Sequence, residues 1–123
     1  MESEELDQKY PVGEGWYNIL DELFEKLDFL SERFNVSYTV MDIKEKFGTL
    51  RVYLAYDMPD DTDASLAVDI MLDLSVYAEH RSAGICEACG KPGQIRDLPW
   101  IKTLCKAHYK EMRLGYGLDD TLG

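Results

Sequence analysis

All three cysteines of this 123-residue chain and one of its two histidines fall in two close pairs. The first reads Cys86-Glu-Ala-Cys89 and the second Cys105-Lys-Ala-His108, with fifteen residues between them. Thiolates and imidazoles are the ligands that zinc takes in a tetrahedron, and two close pairs separated by a hairpin can supply all four. Two intervening residues let the chain curl back on itself, and Gly90 permits the tight turn that follows the second ligand. With every position filled by protein, Cys86, Cys89, Cys105 and His108 are expected to hold a structural Zn²⁺, because a catalytic zinc keeps a position open for water. A disulfide framework would leave one cysteine over, and three buried cysteines beside an unrelated histidine would not need this spacing. His80, the other histidine, is expected at the surface or capping a helix end.

The elements that must position these ligands can be read around them. Lys91-Pro-Gly93 opens a turn, Gln94 to Arg96 and Trp100 to Leu104 read as arms of a small hairpin, and a short helix carrying Tyr109, Met112 and Leu114 begins near Cys105. A knuckle, a hairpin and a helix in that order make a treble-clef arrangement over residues 84–114. Such a module is too small to fold on its own core, so metal binding is expected to supply much of its folding free energy. Treble clefs also occur in nucleases that use a hairpin histidine as base, but Gln94 to Leu104 contains none.

The preceding segment has a different texture. Trp16, Ile19, Leu20, Leu23, Phe24, Leu27 and Leu30 recur at helical spacing and predict a helix from about Gly15 to Phe34. Val36 to Ile43 and Leu50 to Tyr56 alternate as two strands, the first through Val36, Tyr38 and Val40, and Lys44 to Gly48 is expected to close them into a hairpin. A second helix is predicted from about Asp63 to Arg81, capped by the Asp57 to Asp63 loop, with Ala67, Ile70, Met71, Leu74 and Ala78 buried. The expected fold class is therefore α+β: an α-β-β-α body (15–83) followed by a small treble-clef or zinc-ribbon-like module (84–114). An acidic lead-in (1–14) and a Gly-rich flexible tail (115–123) flank them.

The net charge is −11, and its distribution is uneven. Residues 1–83 carry 19 acidic and 7 basic side chains, whereas residues 84–123 carry 5 and 6. An acidic chain is poorly suited to phosphate backbones, so nucleic acid is not the expected partner. No apolar run is long enough to span a bilayer and the acidic N-terminus is unlike a signal peptide, so the expected location is the cytoplasm.

Four segments in order, Gly15-Trp-Tyr-Asn-Ile-Leu-Asp-Glu-Leu23, Ile43-Lys-Glu-Lys-Phe-Gly-Thr-Leu-Arg-Val-Tyr53, Cys86-Glu-Ala-Cys-Gly-Lys-Pro-Gly93 and Thr103-Leu-Cys-Lys-Ala-His108, resemble a family of small, uncharacterised proteins of bacteria and their phages. The resemblance covers roughly residues 15–108 and centres on the Lys-Glu-Lys-Phe-Gly hairpin. It implies the same α-β-β-α body and zinc module, and carriage by phages or other mobile elements, but no activity.

Lys44, Lys46 and Arg51, with Phe47 among them, put positive charge on one hairpin of an acidic body and are the candidate partner contacts. The competing reading has Phe47 anchoring the turn and the lysines paired with Glu45 or helix carboxylates. Trp16 and Trp100 are expected to fill core. Lys102, Lys106, Lys110 and Arg113 offer a basic face on the module. There is no phosphate loop, no nucleophile free of the metal and no histidine base, so an enzyme is not expected. The leading expectation is a zinc-stabilised, non-enzymatic protein-interaction module, an adaptor or regulator with a protein partner. An acidic inhibitor of a host or defence enzyme or toxin is the alternative, through nucleic-acid mimicry in one version. Nucleic-acid binding by the zinc module follows.

Overall fold

In the computed structural model, which describes residues 8–58 and 62–117, one turn of 3-10 helix (Glu14–Trp16) leads into helix α1 (Tyr17–Phe34). The apolar stripe read from the sequence is the buried one, with Trp16, Ile19, Leu20, Leu23 and Leu27 all in the core. Asn35 ends the helix in the left-handed conformation (φ 56°), where its N–H caps the carbonyl of Ser31. Asn tolerates that conformation better than most residues.

Strands β1 (Ser37–Lys46) and β2 (Thr49–Asp57) then pair antiparallel. Lys44 to Lys46, expected in the connection, belong to β1, and the turn is only Phe47-Gly48. Both turn residues have positive φ, 53° and 85°. That suits the right-handed twist of a two-residue hairpin, and Asn-Gly is its usual sequence. A Phe at the first position costs roughly 1 kcal/mol in backbone strain. Nor does Phe47 anchor the turn, since its ring is largely exposed.

The register shifts between Val40 and Asp42, a bulge at Met41. One extra residue reverses which face each later side chain takes. Inward positions therefore pass from Tyr38 to Ile43 and Glu45, and Val40, expected to point inward, is 40% exposed. Strand β2 keeps its alternation through Leu50, Val52, Leu54 and Tyr56.

Helix α2 (Thr62–Ser82) packs on α1 and β2. Ala64, Ala67, Met71 and Ala78 are buried and Leu74 is half-buried, but Ile70, expected in the stripe, is exposed. Apolar residues surround this helix, with Leu66, Leu72, Val76 and Tyr77 also exposed, so periodicity could not set Ile70 apart from the buried face. At its end Ser82 is fully buried and receives the N–H of Leu50 at 2.8 Å, tying the helix to the hairpin.

A second small antiparallel sheet pairs β3 (Gln94–Arg96) with β4 (Lys102–Leu104), and helix α3 (Lys106–Gly115) follows. Leu98, Leu104, Tyr109 and Met112 pack beside Cys86 and Cys105, while Leu114 points to solvent. Trp100, expected in the core, is 62% exposed. The fold is thus mixed α and β, with two small antiparallel sheets and a Cys/His cluster in its C-terminal part. Among the described residues no helix is long and apolar enough to cross a membrane.

The end of the acidic lead-in packs against α1. Val12 is buried, Tyr10 packs against Tyr17 and Phe24, and the Tyr10 hydroxyl donates to Asp21 at 2.6 Å. Residues 1–7 of that lead-in, 59–61 of the expected capping loop and 118–123 of the expected tail lie outside the described residues.

Candidate metal centre

Residues 86–90 form a tight knuckle. Cys86 N–H donates to Lys91 O, and Gly90 N–H donates back to Cys86 O, both at 2.8 Å, with Gly90 at φ 85°. This turn presents Cys86 and Cys89 together. The second pair comes from the start of α3, where Cys105 is the N-cap and its Sγ accepts the N–H of His108 at 3.5 Å. A helix start thus places Cys105 and His108 on one side of the cluster. Strands β3 and β4 bring the two halves face to face, with Glu87 N–H bonded to Thr103 O at 3.0 Å.

The four ligand atoms all lie within 4.8 Å of one another. Cys89 Sγ is 3.8 Å from Cys105 Sγ, and His108 Nδ1 is 3.7 Å from Cys86 Sγ and 3.3 Å from Cys105 Sγ. The imidazole therefore turns Nδ1 towards the sulfurs. Cys86 and Cys105 are buried, His108 is half-buried and Cys89 is exposed. These four side chains could bind a metal ion, as the sequence spacing suggested.

The site also favours thiolate at one ligand. The His108 N–H holds the Cys105 thiol down to about 6, helped by hydrogen bonds from the His108 ring and the other two thiols, while burial opposes it. At Cys89 the Lys91 backbone pulls the thiol down, but burial and the neighbouring sulfurs outweigh it and leave it raised. One thiolate among neighbouring thiols is the arrangement that a cation stabilises as each further proton leaves.

Nothing in residue type or spacing announces how this knuckle is braced. Glu87, between the two ligands of the first pair, is buried; its carboxylate accepts Gly13 N–H at 3.1 Å and faces Lys102 Nζ at 3.4 Å. Its carbonyl accepts Gly15 N–H at 2.7 Å, and the Trp16 indole N–H donates to Ile85 O at 2.9 Å. A Cβ on Gly15 would lie 2.0 Å from Cys86 O and 2.5 Å from Gly90 N. Only glycine lets α1 begin so close to the knuckle.

The remaining candidates divide. Lys46 and Phe47 lie together on a groove that Trp100 also lines. Arg51 instead approaches Glu79 at 3.6 Å, and Lys44 lies 3.7 Å from Asp42 and over the Tyr53 ring. The basic face does not form one stripe. Lys102 is held by Glu87, and Arg113 is buried over the Tyr109 ring, which Arg96 also approaches. His80 is exposed at the end of α2, as expected.

Compared with protein-family models, curated proteins and solved structures, the chain has no match.

Proposed function

We propose that this chain is a small, non-enzymatic protein-interaction module, an adaptor or regulator, whose C-terminal part is a treble clef clasped by one structural Zn²⁺. The observation that carries the metal half of this reading is the spacing of the four ligand atoms. A tetrahedron with bonds of about 2.3 Å to sulfur and about 2.0 Å to nitrogen has edges of about 3.8 Å between sulfurs and about 3.5 Å from sulfur to nitrogen. The separations of 3.8 Å for Cys89 to Cys105, and of 3.7 and 3.3 Å for the two sulfurs nearest His108 Nδ1, support that geometry. Three thiols with one imidazole is a donor set that suits zinc, and it leaves no position for substrate water.

The interaction half is supported by where the clasp acts. The knuckle is bonded to Gly13, Gly15 and Trp16, so a metal there would stiffen the start of α1 together with the C-terminal part. Elemental analysis of the purified chain should return one zinc per molecule, and Co²⁺ substitution should give the spectrum of a tetrahedral thiolate site. Affinity capture with the zinc-loaded chain should retain a specific protein. A substoichiometric or octahedral metal defeats the clasp, and capture of nothing specific defeats the adaptor.

A further inference from the structure

Two large aromatic rings stand in solvent far from each other in sequence and face one groove. Phe47 on the β1–β2 turn is 64% exposed and Trp100 on the β3–β4 loop is 62% exposed. With Glu45, Lys46, Pro99 and Ile101 they line a cleft of about 300 Å³. Neither ring contributes to the core. Phe47 in addition occupies a left-handed position that Asn or Asp fills more easily, so it adds strain and buries little in return. Stability does not explain it, whereas exposed aromatics beside a cleft are what binding surfaces use.

The groove is held from both sides. Thr103 Oγ1 donates to Gly48 O, Gly48 N–H donates to Glu45 Oε2 at 2.7 Å, and the Trp100 indole lies 3.4 Å from Glu45 Oε1. These bonds use up the backbone groups of Gly48 at the turn tip, so the tip offers no ladder for strand addition, and recognition there falls to side chains. They also give each oxygen of Glu45 an N–H partner. Lys46, by contrast, has the Phe47 ring 5.8 Å away and no carboxylate partner among the described residues. The rim of the groove therefore carries an unmatched cation on a chain of net charge −11.

We propose that this groove docks an extended acidic and apolar segment of a partner protein, with an apolar side chain held between Phe47 and Trp100 and a carboxylate on Lys46. The proposal rests on the interaction-module reading above and names its contact surface. Single-stranded nucleic acid could also stack on aromatic rings, but it brings a phosphate with every nucleotide, and the single charge of Lys46 cannot offset that row of charges against a chain of net charge −11.

The test uses the full, metal-loaded chain and four probes: a short peptide of Leu, Pro and Glu, the same peptide with Lys for Glu, the same with Gly for Leu and Pro, and oligothymidylate. Calorimetry should show binding of the first alone. Trp100→Ala should weaken it at least about tenfold, the usual loss for a central aromatic anchor. Phe47→Asn should keep or raise the melting temperature while losing affinity, which separates binding from folding. Lys46→Glu should shift preference to the Lys peptide. Equal binding of acidic and basic peptides, indifference to Trp100→Ala, binding of oligothymidylate alone, or binding of no probe overturns the proposal. A partner captured equally by wild type, Trp100→Ala and Phe47→Asn would place the contact elsewhere and leave the adaptor reading standing.

Discussion

The N–H of Gly15 donates a 2.7 Å hydrogen bond to the carbonyl oxygen of Glu87, joining the first turn before α1 to the loop between Cys86 and Cys89 of the Cys/His cluster. Helix start and knuckle are in backbone contact, with no room for a side chain between them. Whatever orders the knuckle also orders the beginning of the helical body.

Gly15→Ala should therefore be among the most damaging single-methyl additions in the chain. The new Cβ meets backbone atoms of Cys86 and Gly90, which cannot swing aside as a side chain could. A loss of about 2–4 kcal/mol is expected, together with weaker metal retention. Urea denaturation and a competitive chelator titration measure the two, and an unchanged midpoint would refute the close approach.

Removing the metal with a strong chelator, or replacing Cys89 with Ala, should unfold residues 84–114. Structural zinc in small modules contributes about 10–16 kcal/mol of apparent binding free energy at neutral pH. The core there rests mainly on Leu98, Leu104, Tyr109 and Met112 around two of the ligands themselves. Hydrogen exchange should show protection lost across the module and also at Gly15, whose acceptor is in the knuckle. Protection that survives chelation would mean that the metal is not a clasp.

Ser82→Ala should cost about 1–3 kcal/mol, because it leaves the Leu50 N–H buried without an acceptor. Metal stoichiometry should stay at the wild-type value. Equal loss of metal and stability would instead make Ser82 part of the centre's support.

Stability should fall at high pH through the tyrosines on α1's flank. Burial, then the hydrogen bond and charge of Asp21, push Tyr10 from 10.0 up to about 12. A folded-state value above the unfolded one means a contribution fully present below pH 10 and lost as pH rises through about 12. Tyr38, raised by burial and by its hydrogen bond to Asp28, acts in the same direction. Denaturation midpoints followed upward from pH 10 should drop less steeply in Tyr10→Phe than in wild type; parallel curves would remove Tyr10 from the explanation.

Much of this structure is legible in the residues, for physical reasons that differ by element. The metal cluster is legible because ligand chemistry restricts both residue type and spacing, and Cys86, Cys89, Cys105 and His108 converge. Helix α1 is legible because one of its faces is polar. Helix α2 is legible in its extent and in buried Ala67, Met71 and Ala78, but apolar residues on every side hide the fact that Ile70 is exposed. The bulge at Met41 leaves no trace in a strand of ordinary composition, yet it moves Val40 out of the inward row. Trp100 misleads because size alone suggests burial. Glu87 and Gly15 were beyond reach, since their importance lies in a contact between distant parts of the chain.

Synthesis delivers the chain from its N-terminus, so α1 and the hairpin emerge well before Cys105 and His108. During that interval the Gly15 N–H and the Trp16 indole lack their acceptors, Glu87 O and Ile85 O, which are still to come. On the clasp proposal, those acceptors are held in place only once Cys105 and His108 have also emerged and a metal ion joins the two pairs. On the same proposal, zinc supply would then set the time at which a newly made copy finishes maturing, and a shortage would leave its earliest helix incompletely docked.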